Sequence, residues 1–407
     1  MISRLCHITL LFLVGITSLY YSTYSQSTQI MTLGMSGAFS GDNASMGEDF
    51  SAGARAAFTR YKENTGNQIQ LITMDDAYEP KQAAPNVRHL IEKDFITALF
   101  GNLGTPTVAV SAPIAVENKT LLFAPITGSS LVRPKTPDRY VINYRASYEE
   151  EITAVFDALM KEHKLTQADI ALFNQQDMFG SAGKTYLTKL MKKYGIKPQT
   201  GLFQMEYSRN TLAVEHAVAD LLIRHPTPKV VFIVGSAGPS AKFIRLTRQY
   251  GLDPLFIGIS FMGNRLFMEQ LQDISAKILI PQVVPYFKDK SLPIILDFHQ
   301  DMTQFSPQSN LNPLSLEGYI AARIFTKALS DNFPVNREEI IDIIESLGEF
   351  DIGLGIPLLL SSEKHQASHS VWLTQLKNGK LIPVPFTRVA ELYLNDMMPQ
   401  ETAGKAK

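Results

Sequence analysis

The chemistry this chain offers is concentrated in five short polar loops. Gly101-Asn102-Leu103-Gly104-Thr105-Pro106-Thr107 follows an apolar run, Ile96–Phe100. Its glycines let a ligand approach the backbone, Thr105 and Thr107 supply hydroxyls, and Pro106 suits a first helical turn. Free N–H groups at such a helix start attract a carboxylate or another anion. A second loop of the same character, Pro125-Ile126-Thr127-Gly128-Ser129-Ser130, follows Leu121–Ala124. The two loops are neighbours if their strands pair. Three more follow later apolar runs: Gln175–Gly180 with Phe179, Gly235-Ser236-Ala237-Gly238, and Ser260-Phe261. Sheets built with helices bind ligands beyond the carboxyl ends of their strands, which is where these loops fall.

Devices for bond-breaking chemistry are missing from the sequence. No G-x-G-x-x-G follows a strand, and no Walker A lysine motif or H-E-x-x-H occurs. Gly34-Met35-Ser36-Gly37 and Gly258-Ile259-Ser260-Phe261 lack the last glycine of a nucleophile elbow. His365 and His369, four apart in HQASH, could share a helical face, but the segment is Ser-rich and reads as a surface turn rather than a metal site. These absences favour a binding protein with no metal and no cofactor.

The elements that must position the loops alternate along the chain. Strands are expected at Ile30–Gly34, Ile69–Met74, Ile96–Phe100, Thr120–Phe123 and Tyr140–Asn143, with helices between them. The alternation restarts with strands at Ile170–Phe173, Gly201–Met205, Lys229–Gly235 and Leu255–Ile259. Helices are expected there at 147–163, 181–194, 211–224 and 239–250. Strands spaced by helices imply parallel sheets with right-handed crossovers, so the fold class is α/β in two doubly wound blocks joined near residue 146. The last third adds a strand at Lys277–Val284, three helices, and a β-rich end with Asn378-Gly379 as a hairpin turn. Those elements are too few for a third domain and should return to both blocks.

Composition narrows the class further. The 407 residues are 45% hydrophobic and 19% charged, a globular balance long enough for two domains. Lys+Arg 38 against Asp+Glu 39 leaves a formal charge of −1, without the basic excess of a nucleic-acid binder. Cys6 is the single cysteine, which excludes an intramolecular disulfide. Arg4, the apolar run Ile8–Leu19 and the small residues Thr23 and Ser25 read as a secretory signal over residues 1–25, cleaved to release a periplasmic protein. Residues 396–407 read as a frayed tail.

Several short motifs in order carry a resemblance. They are Phe39-Ser40-Gly41, Gly47, Asp75-Asp76-Ala77, Pro80-Lys81-Gln82-Ala83, Gly101…Thr105, Ala124-Pro125 and Leu316-Glu317-Gly318-Tyr319. Together they resemble the type I periplasmic binding proteins, in the leucine/isoleucine/valine-binding branch that serves ABC importers. The resemblance spans about residues 28–390. It implies two lobes joined by a three-stranded hinge, with 26–146 and 282–350 in lobe 1 and 147–281 and 351–395 in lobe 2. It also implies a monomer that closes on a small organic ligand and meets an ABC permease. By motif position Thr105 would take a ligand carboxylate, Asn102, Gly104, Thr107, Thr127 and Gly128 would line that side, and Tyr148 would lie just past the first crossover. Phe179, Ser236 and Ser260 would line the other lobe. Ser260 stands where amino-acid binders place an acidic group for the ammonium, so the ligand is expected to be a carboxylate, an amide or a weakly polar molecule. A sensory receptor of the same fold is the nearest alternative, and a secreted hydrolase a more distant one.

Overall fold

Apolar runs separated by amphipathic segments fold into two open sheets, each covered by helices. The computed structural model describes residues 28–196, 201–329, 333–334 and 336–394. The expected signal segment, 1–25, and the expected tail, 396–407, lie outside these residues.

The first lobe opens with β1 (Ile30–Gly37), α1 (Ala44–Thr65), β2 (Gln68–Asp75), α2 (Pro80–Glu92) and β3 (Ala98–Phe100). It continues through α3 (Thr105–Glu117), β4 (Leu121–Phe123) and β5 (Val141–Ile142). The strand order is β2-β1-β3-β4-β5, all parallel, so the carboxyl ends of β3 and β4 lie side by side. Leu99 and Leu122 face the α2–α3 layer, while Phe100 and Phe123 face the interior. Alternation along each buried strand thus splits its side chains between two helical layers.

The second lobe follows with α4 (Tyr148–Glu162), β6 (Ile170–Gln175), α5 (Met178–Lys193), β7 (Phe203–Tyr207) and α6 (Glu215–Ile223). Then come β8 (Val230–Val234), α7 (Ala237–Gln249), β9 (Leu255–Ile257), α8 (Arg265–Gln270) and β10 (Ile278–Gln282). Side-chain caps mark two of the starts: Ser147 forms a capping box with Glu150, and Asp177 accepts from the Phe179 amide. That second cap starts α5 earlier than the expected 181 and puts Phe179 in its first turn. β7 likewise lies two residues past the expected Gly201–Met205, because its register pairs Phe203 with Ala171 and Tyr207 with Gln175.

The last third does return to both lobes. α9 (Pro293–Phe305), α10 (Pro313–Ala328) and α11 (Arg337–Glu345) join lobe 1, followed by the small β11–β12 pair (Gly348–Phe350, Leu358–Leu360). β13 (Trp372–Lys377) and β14 (Lys380–Pro383) extend the second sheet antiparallel, in the order β14-β13-β10-β9-β8-β6-β7. α12 (Arg388–Leu394) packs on α4 through Tyr393 and His163, whose rings lie 4.5 Å apart.

Two expectations need correction. Residues 358–367, inside the 351–395 stretch expected in lobe 2, lie on lobe 1. The Asn143 amide donates to His365 O at 2.7 Å and Ala367 N donates to Asn143 O at 2.9 Å, so the segment continues the β5 edge. His365 is buried rather than in a surface turn, its ring held by the Asp138 and Val141 carbonyls and by Glu345. Among the described residues no group of three or more metal-ligating side chains forms, and no helix is long and apolar enough to cross a membrane.

α10 is buried nearly all round and crosses α1 at very short range. A Cβ on Gly53 would stand 1.8 Å from Ser315 O, and one on Gly318 would stand 2.0 Å from Phe50 O. Both glycines are required for that approach. Asn312 caps α10 and donates to Asp49 of α1 at 2.7 Å.

The chain crosses between lobes after β5, after β10 and before β13. Tyr144 ties these segments together: its hydroxyl donates to Val283 O at 3.0 Å and its carbonyl accepts from Ser368 N at 2.9 Å.

Candidate functional site

The strand-end loops of both lobes meet across one interface. In lobe 1 the loops after β3 and β4 are zipped together, Ile126 N donating to Asn102 O at 2.8 Å and Gly104 N to Ile126 O at 3.2 Å. Gly104 sits at φ 94 as the N-cap of α3, a conformation that favours glycine, and the Tyr78 ring packs against it. That turn brings Thr105 Oγ1 to 2.8 Å from Thr127 Oγ1, a pair of hydroxyls beside a helix N-terminus. Arg133 braces the second loop from behind, donating to Thr127 O and Ser129 O at 2.9 and 3.0 Å and to Arg145 O at 3.1 Å.

Lobe 2 meets this pair through Tyr148, whose amide donates to Gly128 O at 2.8 Å. Burial pushes the Tyr148 phenol up, while Arg145 and the nearby Thr127 and Thr105 hydroxyls pull the other way. A run of rings then spans the interface. Tyr148 to Phe179 is 5.4 Å between centroids, Phe179 to Phe261 is 5.0 Å, and Phe261 to Tyr78 of lobe 1 is 5.9 Å. Buried polar atoms without a hydrogen-bond partner gather among these residues: the Tyr78 and Tyr148 hydroxyls and both side-chain polar atoms of Asn102. Buried polar groups in proteins are nearly always paired, so this cluster of unpaired donors and acceptors at a domain interface is the candidate site.

Around the rim the lobes hold each other through charge. Arg209 of lobe 2 lies 3.0 Å from Glu79 of lobe 1, and Asn210 donates to Glu79 at 2.6 Å. Arg265 and Glu48 stand 3.6 Å apart. The two lobes are thus in direct contact at both points.

Of the ten residues singled out in the sequence, Asn102, Gly104, Thr105, Thr127, Gly128, Tyr148 and Phe179 come together here. Thr107 does not contribute its hydroxyl, which bonds back to Leu103 O and Gly104 O within its own turn. Ser236 is also engaged inside its lobe, its hydroxyl donating to Gln175 at 3.1 Å and its amide donating to the Tyr207 hydroxyl at 2.7 Å. Ser260 belongs to a charged cluster that sequence reasoning missed. Its amide and hydroxyl both donate to Glu151, at 2.6 and 2.8 Å. The Arg145 guanidinium, 2% exposed, donates Nη2 to Ser260 Oγ at 3.1 Å and to Glu317 Oε2 at 3.0 Å, with Nε 2.9 Å from Glu317 Oε1. Burial pushes Glu151 up to about 7 and raises Glu317 as well. Burial works against the Arg145 charge, yet Glu317 beside it holds that group above the ordinary arginine value.

A periplasmic binding protein family model matches residues 31–380. The chain belongs to that family. Within it, this periplasmic binding protein is similar over 90% of its length to the whole of a possible leucine/isoleucine/valine-binding protein from Rhodopirellula baltica, at 36% identity and a TM-score of 0.84. A substrate-binding periplasmic protein from Ralstonia solanacearum matches 87% of the chain and all of its own at 25% identity, TM-score 0.79. An amino acid binding protein from Pseudomonas aeruginosa is 24% identical over 233 residues, which cover 56% of this chain and 59% of that protein. The type I fold and the branch resembled in the sequence are thereby shown.

Tyr78, Phe261, Arg145, Glu151 and Glu317 had weak local signals at best. Glu317 is an acidic residue in an otherwise apolar helical run, and Arg145 follows shortly after the apolar β5. Each is an isolated charge in a buried pattern, which calls for a partner.

Proposed function

We propose that this protein captures a small organic acid between its lobes in the periplasm and hands it to an ABC permease, without turning it over. The observation that carries the reading is the Thr105–Thr127 hydroxyl pair at the start of α3, faced by the unpaired Tyr148 hydroxyl and Asn102 amide and enclosed by rings from both lobes. A carboxylate there would accept from hydroxyls and from the helix N-terminus while its body rests on Phe179, Phe261 and Tyr78. The printed names of the relatives, an amino acid binding protein and a possible leucine/isoleucine/valine-binding protein, support capture of a carboxylate-bearing solute.

Closure is a hinge motion about the three crossovers, with Thr105 on one lobe and Phe179 on the other meeting only when the cleft shuts. Mass spectrometry of small molecules released from the purified protein tests the reading, together with solution scattering before and after that molecule is restored. A bound acid and a more compact protein are expected. A scattering profile unchanged at saturating ligand would rule out capture by closure.

A further inference from the structure

We infer that Arg133 is a positioning residue for this site: its guanidinium clamps the loop that carries Thr127 to the crossovers and fixes which way the loop's peptides face. The inference deepens the capture reading above, which gives that loop its ligand. Three successive carbonyls of the loop are held. Thr127 O and Ser129 O accept from Arg133 Nη1 at 2.9 and 3.0 Å, and Gly128 O between them accepts from the Tyr148 amide at 2.8 Å.

The rest of the fork reaches the segments that join the lobes. Nη2 donates to Arg145 O in the first crossover at 3.1 Å, and Nε donates to Gln366 Oε1 at 2.8 Å. Gln366 in turn donates to Ser368 O in the third crossover at 3.0 Å and to Glu150, in the first turn of α4, at 2.9 Å. One side chain thus ties the Thr127 loop to two of the three crossovers.

An ion pair does not account for this arginine. Its four partners are neutral oxygens, and burial, with the Arg145 charge nearby, pulls the guanidinium down to about 10. What the residue supplies is direction: several N–H groups in a fixed plane, which an ammonium cannot reproduce. With its carbonyls committed to the clamp, the loop offers an anion the Thr127 hydroxyl rather than a carbonyl dipole. Without the fork, the Thr127 and Ser129 carbonyls lose their donors and those peptides are free to turn.

Hydrogen–deuterium exchange of the full protein, read by mass spectrometry, tests this without any ligand. The reporters are the amides of Ser129, Ser130 and Leu131, which donate to Thr127 Oγ1, the Tyr186 hydroxyl and Ser129 Oγ. In Arg133→Ala, peptides covering 126–132 are expected to exchange ~10-fold or more faster than in wild type, with those of β6 and β8 unchanged. Arg133 lines two neighbouring cavities, of about 690 and 330 Å³, which give a small solute access to the vacated space. Millimolar ethylguanidinium, the group this substitution deletes, is expected to restore slow exchange, and ethylammonium is not. Arg133→Lys keeps the charge and loses the fork, so it is expected to exchange as fast as Arg133→Ala. It carries the test if the alanine variant lacks a cooperative melt.

Unchanged exchange at 126–132, or acceleration spread evenly over the chain, overturns the inference. So does rescue by ethylguanidinium no better than by ethylammonium, or a lysine variant as slow as wild type. Absence of a bound acid in the release experiment would defeat the capture reading and leave the exchange result standing, so the two failures are distinct.

Discussion

Replacing Glu151 by Gln should remove a defined part of the protein's pH-dependent stability. The Glu151 carboxyl is fully buried and pushed from 4.5 to about 7, chiefly by burial. Between those two values the folded chain holds a proton that the unfolded chain has released. Stability therefore falls as pH rises from 4.5 towards 7 and levels off above it. The full swing is on the order of 3 kcal/mol, from about 1.4 kcal/mol per pKa unit. Asp49 and Asp76, each raised to about 6 mainly by burial, add contributions of the same sign, so the wild-type profile alone cannot isolate Glu151. The measurement is the unfolding free energy from urea titrations at closely spaced pH values from 4 to 8, for wild type and Glu151→Gln. The difference between the two curves should change by roughly 2–3 kcal/mol across the window, with the variant losing less stability as pH rises. Gln keeps the shape and can still accept from the Ser260 amide, so a vertical offset is also expected. Two curves that differ only by that offset would show that Glu151 does not titrate there, and the picture of a carboxyl held neutral beside Arg145 and Glu317 would fail.

Three further outcomes follow from the contacts described. Thr105→Val removes one hydroxyl from the pair with Thr127 and should weaken ligand binding by roughly 1–2 decades in calorimetry, since a hydrogen bond to a charged group contributes about 1.5–3 kcal/mol; unchanged affinity would take this loop out of the site. Arg209→Gln breaks a partly exposed bridge to Glu79, so affinity should fall by no more than about fivefold, through faster release and with less sensitivity to salt. Gly53→Ala forces a methyl group against Ser315 O and should destabilise the fold by about 1–3 kcal/mol or more, read as a lower melting temperature.

The lobe 1 half of the site could be read in the sequence because its signals are local. Glycine, proline and threonine at the end of a buried strand specify a turn into a helix, and the Thr105–Thr127 pair follows once β3 and β4 are adjacent. Residue type alone did not reveal what each hydroxyl does. Thr107 and Thr105 are two residues apart, yet one bonds to its own helix turn and the other faces the neighbouring loop. Helical phase explains the difference, because two residues turn the side chain by about 200° around the helix axis. Arg145 and Glu317 escaped for the opposite reason. They are 172 residues apart, and only the return of α10 to lobe 1 brings them together. The misplaced segment 358–367 is the same kind of error, because backbone pairing to Asn143 leaves no pattern in the side chains.

The late arrival of α10 has a consequence for how the molecule forms. Phe325 packs its ring against Phe58, Phe100 and Phe123, at 6.4, 5.9 and 5.3 Å between centroids, and so seals a face laid down more than 200 residues earlier; closing such a long loop costs entropy before the contact forms. Until that helix is available, the three earlier rings have only one another and Phe50 to pack on, and the short crossing at Gly53 has nothing to cross. A fragment that stops at the end of β10 would possess every strand of the first sheet and still lack the inner wall of its lobe. The N-terminal lobe is thus completed from the C-terminal third, and the order in which residues are synthesised is not the order in which lobes become stable.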